Sequence, residues 1–132
     1  MAEQKKILII DDVEENVDII SQKLSHLGYE VREAYDGEQG LELIKTEKPD
    51  LILCDIMLPK VDGWELLARI SEDPETRGIP VILMTAYTTI QFRGERKRAI
   101  ELGAVDYLKK PFDLSEMAKL VKKHLGDDEK DS

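Results

Sequence analysis

Five times along this chain a short strand-like run is followed by an amphipathic stretch of helical length, and few architectures accept that alternation. The runs are Lys6–Asp11, Glu30–Ala34, Leu51–Asp55, Val81–Thr85 and Asp106–Lys109. Between and after them the spacing predicts helices over about Glu14–Leu27, Glu38–Thr46, Trp64–Ser71, Glu95–Leu102 and Leu114–Leu125. Val13, Val17, Ile20, Leu24 and Leu27 recur at intervals of three and four and predict one buried stripe on the first helix. Leu41 and Ile44 do the same on the second helix, Leu67 and Ile70 on the third, and Leu114, Met117, Leu120 and Val121 on the fifth. Gly28 fits a helix C-terminus, Asp36-Gly37 a turn into a helix, and Asp113 an N-cap. The unbroken apolar character of Leu51–Cys54 suits a central strand covered on both faces. Strands alternating with helices imply βαβ units, a parallel sheet and a three-layer α/β sandwich.

With 132 residues, 42% hydrophobic and 36% charged, the chain is long enough for one domain with a real core and has the composition of a soluble globular protein. The domain is expected over residues 5–125, with the polar tail 126–132 disordered. A formal charge of −9 disfavours direct binding to nucleic acid. The N-terminal apolar run of four residues is too short for a signal-peptide core or a membrane span, so a cytoplasmic location is expected. The lone Cys54 reads as a buried thiol, and His26 and His124 as solvated or helix-end histidines rather than metal ligands. No Gly-rich nucleotide loop follows the first strand.

In a parallel sheet all strand C-termini point to one edge, where ligands bind. Asp11 and Asp12 end the first run, Asp55 the third and Thr85 the fourth; Lys110 follows the fifth. Carboxylates, a hydroxyl and an ammonium then converge, a set suited to a divalent cation and a phosphoryl group. Two like charges 4 Å apart repel by about 4 kcal/mol at an effective dielectric of 20, so without a cation at least one carboxyl is expected to titrate high. Mg²⁺ takes oxygen ligands and often needs only one or two carboxylates. Asp12 and Asp55, the backbone carbonyl of Met57, and Asp11 through a water would serve. Asp55, ending the central strand, is the candidate nucleophile toward phosphorus; Lys110 would supply a point charge and Thr85 a hydroxyl donor.

The segments Ile7-Leu-Ile-Ile-Asp11-Asp12, Asp50-Leu-Ile-Leu-Cys-Asp55-Ile-Met-Leu-Pro59 with Asp62-Gly63, Pro80-Val-Ile-Leu-Met-Thr85-Ala86 and Gly103-Ala-Val-Asp-Tyr107-Leu-Lys-Lys110-Pro111-Phe112 together resemble the receiver domains of two-component response regulators, of the chemotaxis-regulator type. The resemblance spans about Lys5 to Leu125. It implies a flavodoxin-like (βα)5 fold with strand order 2-1-3-4-5 and a signalling module rather than an enzyme. It also implies phosphoryl transfer to Asp55 from a sensor histidine kinase or phosphotransfer protein, with Mg²⁺ required and a Lys110–Pro111 bond that is cis. The family's switch maps onto Thr85, moving toward the phosphoryl group, and Tyr107, rotating inward behind it. The face made by the fourth helix, fifth strand and fifth helix would then change its affinity for a downstream effector or output domain. A phosphorylation-dependent dimer is left open.

Met57 and Tyr87 fall where the family tunes loss of the phosphoryl group, and here they are expected to shield it from water. The stretch from Thr85 to Gly103 departs from the family pattern by a few extra residues near Thr88–Gly94. It carries Arg93, Arg96, Lys97 and Arg98, which read as a solvated helix face or, alternatively, a patch for an acidic partner. Trp64 is expected to pack near the site. A Mg²⁺-dependent phosphohydrolase with an Asp nucleophile typically carries a second Asp two residues on; Met57 stands there instead. The seven residues after Leu125 are too few for an output domain, so the chain is a stand-alone receiver or part of a larger regulator.

Overall fold

A computed structural model describes residues 4–85 and 97–126. Five strands, β1 (Lys6–Ile10), β2 (Glu30–Ala34), β3 (Leu51–Asp55), β4 (Val81–Thr85) and β5 (Asp106–Lys109), form one sheet in the order β2-β1-β3-β4-β5. All four pairings are parallel. The helices are α1 (Glu14–His26), α2 (Gly37–Glu47), α3 (Gly63–Glu72), α4, of which residues 97–101 are described, and α5 (Leu114–Leu125). This is the flavodoxin-like arrangement implied by the resemblance. The expected start of the fourth helix lies outside the described residues.

The period-2 geometry of a strand divides its side chains between two cores. Ile7 and Ile9 of β1, Leu51 and Leu53 of β3, and Ile82 and Met84 of β4 face Val17, Ile20 and Leu24 of α1 and Met117 and Val121 of α5. Leu8, Ile10, Ile52, Cys54 and Leu83 face the other way, toward Ile44 of α2, Leu66, Leu67 and Ile70 of α3 and Ala99 of α4. Each such fully buried aliphatic contributes about 1.5–3 kcal/mol. The central strands β3 and β4 are buried at every residue, which is why their sequences are apolar up to the final Asp55 and Thr85 rather than alternating.

One local expectation needs correction. Val13 does not join the α1 stripe: it is the N-cap residue in extended conformation and stays exposed, because helical periodicity begins only after it. Asp113 occupies the N-cap position of α5, as expected, through its carbonyl, which accepts from the Met117 N–H, and without a side-chain capping hydrogen bond. His124 is a helix-end histidine, as expected, in the last turn of α5. It sits 3.1 Å from Asp106 Oδ2, tying the last turn of α5 to the start of β5. Gly28 follows the C-cap Leu27 with φ +98°, the left-handed geometry that favours glycine. Asp36 caps α2 by accepting from the Gln39 N–H at 2.8 Å, while Gln39 accepts back from the Tyr35 N–H, a reciprocal cap. Among the described residues, no helix is long and apolar enough to cross a membrane.

Candidate functional site

Parallel pairing brings the ends of β1, β3, β4 and β5 to one edge. Ile10 is in register with Cys54, Asp55 with Met84, and Thr85 with Lys109. The ladder continues one step past the strands. The Asp11 N–H donates to the Ala34 carbonyl, the Ile56 N–H to Met84, and the Lys110 N–H to Thr85 at 2.6 Å. These bonds fix the backbone beneath each functional side chain.

Asp11, Asp12 and Asp55 present carboxylate oxygens that all lie within 4.8 Å of one another. Asp11 is fully buried, Asp55 is 7% exposed and Asp12 is exposed. Lys110 Nζ donates to Asp11 Oδ2 and Asp55 Oδ2, both at 2.8 Å. Asp55 Oδ1 accepts from the Met57 N–H at 3.1 Å, and Asp11 Oδ1 from the Val13 N–H at 3.0 Å. Thr85 is fully buried at the end of β4. The Lys110–Pro111 peptide is cis.

Burial pushes the Asp55 carboxyl above its ordinary range; Lys110 pulls it back down, and the Asp11 charge adds to the rise. Like-charge repulsion was the expected cause, and it is present, but loss of solvent is the larger effect. Burial works against the Lys110 ammonium, yet its hydrogen bonds to Asp11 and Asp55 carry it above the ordinary lysine value. Burial, with the nearby Asp55, Asp11 and Asp62 charges, holds Cys54 firmly in its thiol form, as expected of a structural cysteine.

A cavity of about 500 Å³ opens beside the cluster, lined by Asp12, Met57, Leu58, Pro59, Asp62 and Trp64 among others. Met57 is 61% exposed at its rim. A second cavity of about 440 Å³, chiefly apolar, runs from Lys110, Pro111 and Phe112 to Asn16 and Ile19 on α1. Trp64 packs against the α3-side core, and Arg98 of α4 lies over its ring, 4.3 Å from the centroid. Arg98 is therefore exposed but not simply solvated. That stack was not legible in the sequence, because 34 positions separate the partners. Tyr107 is already buried, in the same core as Leu66 and Ala99. Tyr87, Arg93, Arg96 and the Thr88–Gly94 insertion lie outside the described residues, as does the tail beyond Gly126.

Residues 7–122 match the family described as the response regulator receiver domain. The DNA-binding dual master transcriptional regulator RpaA of Synechocystis is 44% identical over 117 residues, which cover 89% of this chain and 47% of that protein. Another matched regulator is covered over only 23% of its length, so the chain spans half or less of these curated relatives. The CheY-like response regulator receiver domain protein of Methanospirillum hungatei superposes with a TM-score of 0.84 at 32% identity, covering 98% of this chain and 100% of that one. The receiver domain of a Pseudomonas aeruginosa sensor histidine kinase, solved with a magnesium ion coordinated in its active site cleft, gives 0.83 at 31% identity, with 94% and 99% covered. On this evidence of sequence and fold together, the chain belongs to the response regulator receiver domain family of two-component signalling.

Proposed function

We propose that this chain is a phosphoacceptor module in which Asp55 takes a phosphoryl group from a phosphohistidine of a sensor histidine kinase or phosphotransfer protein. An Asp55 oxygen attacks phosphorus, the P–N bond breaks, and the imidazole nitrogen keeps the electron pair. The observation that carries this reading is the imbalance of the cluster: Asp11, Asp12 and Asp55 lie together, Lys110 pairs with two of them, and burial raises the pKa of the carboxyl at the end of the central strand.

The donor set fits a hard divalent cation, with Asp12 and Asp55 as carboxylate ligands, the Met57 carbonyl as a third and Asp11 acting through a water. When bound, Mg²⁺ supplies charge neutralisation at the transferring phosphoryl oxygens. Lys110 holds Asp55 in place before transfer and meets a phosphoryl oxygen after it. Thr85 offers its hydroxyl to another. Tyr107 already occupies an inward position, so the switch would secure that position rather than create it. Met57 and Tyr87 would shield the acyl phosphate from water. The α4-β5-α5 face would carry the signal to an effector or output domain, and residues 5–125 would be the folding unit. The apolar cavity adjoining Lys110 offers the phosphodonor protein a foothold at the same edge. A cytoplasmic location follows from such a partner.

The test is intact mass after incubation with acetyl phosphate and Mg²⁺, with Asp55→Asn in parallel. A gain of one phosphoryl group that needs Mg²⁺ and vanishes in the variant is the expected result. No gain from either acetyl phosphate or a phosphorylated kinase, in folded protein, would overturn the reading.

A further inference from the structure

A glycine in the first turn of a helix is an odd choice, since alanine there would favour the helix by about 1 kcal/mol. Gly37 has an ordinary helical backbone, so conformation does not demand it. Space does. A Cβ built on Gly37 would fall 1.8 Å from the Val61 carbonyl oxygen and 2.6 Å from its carbonyl carbon. Those atoms are backbone and cannot swing aside. They belong to the loop between β3 and α3, residues 56–62, which carries Met57.

The contact is built from both sides. The Pro59 carbonyl accepts from the Gly37 N–H at 3.3 Å and from the Val61 N–H at 2.8 Å. Lys60 takes a left-handed backbone, φ +72°, and places its ammonium 3.6 Å from Asp36 and 3.9 Å from Glu38. These ion pairs are exposed and weak individually. Behind the loop, Gly63 also leaves little room: a Cβ there would lie 2.7 Å from the Asp55 carbonyl oxygen. The loop is thus held between the N-terminus of α2 and the start of α3. It leaves β3 at Asp55, whose Oδ1 accepts from the Met57 N–H.

We propose that Gly37 is a positioning residue for the cation site: by letting α2 close onto Pro59-Lys60-Val61, it fixes the loop that aims the Met57 carbonyl and the Asp55 carboxylate. This rests on the function proposed above and deepens it, since Gly37 touches neither cation nor phosphoryl group. Displacing a supporting loop by a fraction of an ångström is enough to weaken a site that depends on fixed oxygen geometry.

Gly40 supplies the control on the same helix. A Cβ there meets one side chain and no backbone of the β3–α3 loop: Ile10, with Cδ1 at 2.6 Å and Cγ1 and Cγ2 at 3.3 Å. The experiment titrates Mg²⁺ into the wild-type chain, Gly37→Ala and Gly40→Ala by calorimetry, with thermal melts to show that each is folded. Gly37→Ala is expected to weaken Mg²⁺ binding by about tenfold or more, while Gly40→Ala leaves it unchanged. Coupling is reciprocal, so Mg²⁺ must also slow hydrogen exchange at the Gly37 amide of the wild-type chain; this arm stands even if Gly37→Ala fails to fold. Wild-type protein that binds Mg²⁺ without protecting Gly37, or a folded Gly37→Ala with unchanged affinity, overturns this inference alone. A wild-type chain that binds no Mg²⁺ overturns it together with the metal-dependent reading.

Discussion

The two ends of the sheet are both rich in charge, and they handle it in opposite ways. At the N-terminal edge, Lys6 pairs with Glu47 at 2.9 Å, and Arg32 bridges Glu47 at 3.2 Å and Glu30 at 2.6 Å. In this network two cations meet two anions, and all four remain partly solvated. At the C-terminal edge, three carboxylates lie together and, among the described residues, Lys110 pairs with two of them, the buried Asp11 and Asp55. The cluster carries two negative charges in excess, the charge a divalent cation would neutralise. One end is arranged for stability as it stands. The other gathers carboxylates closely enough to hold a metal ion.

The sharpest way to break this comparison is to delete one cation at each end. Lys110→Ala leaves Asp11 and Asp55 without their shared donor in a site that is mostly closed to water. Metal-free stability is expected to fall by about 3 kcal/mol, the lower end for breaking a buried pair. Phosphoryl acceptance from acetyl phosphate should fall by about a hundredfold or more, as for the loss of one charge-stabilising donor. Lys6→Ala, at the solvated end, should lower the melting midpoint only slightly and leave acceptance unchanged. Equal losses of stability in thermal melts would erase the distinction between the ends.

Removing an anion at each end should give changes of opposite sign. The Asp55 carboxyl is raised, by burial first, so folding favours its neutral form. Its contribution to stability is present below the ordinary carboxylate range and is lost as pH rises through the raised value. At pH 7 the ionised group therefore opposes folding, and Asp55→Asn in EDTA should raise the melting midpoint, with Lys110 still held by Asp11. Glu47 is lowered, first by its hydrogen bond from Lys6. Its contribution is present above the ordinary range and lost as pH falls through the depressed value, so Glu47→Gln should lower the midpoint at pH 7. A midpoint that drops for Asp55→Asn would mean that the cluster is stabilising as it stands.

The framework of both ends was readable from residue pattern alone. Strands β2, β3, β4 and β5 and helix α5 have the bounds expected from apolar runs and helical spacing. In a parallel sheet the strand C-termini share one edge, so the placement of Asp11, Asp12, Asp55, Thr85 and Lys110 at that edge came with them. What the sequence hid depends on three-dimensional closeness rather than period. The Arg98–Trp64 stack, the His124–Asp106 pair and the contact of Gly37 with Val61 join residues far apart in the chain. The exposure of Val13 was missed for a different reason: a period cannot say where a helix begins.

Met57 tests how open the charge-imbalanced end is. Its side chain is exposed at the cavity rim, where an apolar group would hinder an attacking water. Met57→Asn should speed loss of the phosphoryl group several-fold, measured by the decay of phosphorylated mass after the donor is removed. A rate that stays the same would remove the shielding role and leave Met57 acting through its backbone alone, whose N–H donates to Asp55.

The smallest effect concerns the contact that joins the neighbourhood of the site to α4. Arg98 lies 4.3 Å from the Trp64 ring centroid and is exposed, so the stack should contribute about 0.5–1 kcal/mol. Arg98→Ala should lower the melting midpoint by only a few degrees. Trp64 is the only tryptophan, so its emission reports the same contact directly and should shift in the variant. Arg98→Met separates the causes, because it keeps an apolar stem over the ring and removes the charge. Emission and stability that match Arg98→Ala would make the interaction a true cation–π contact. Values that match the wild type would make it packing alone, and would place α4 within reach of the site through shape rather than charge.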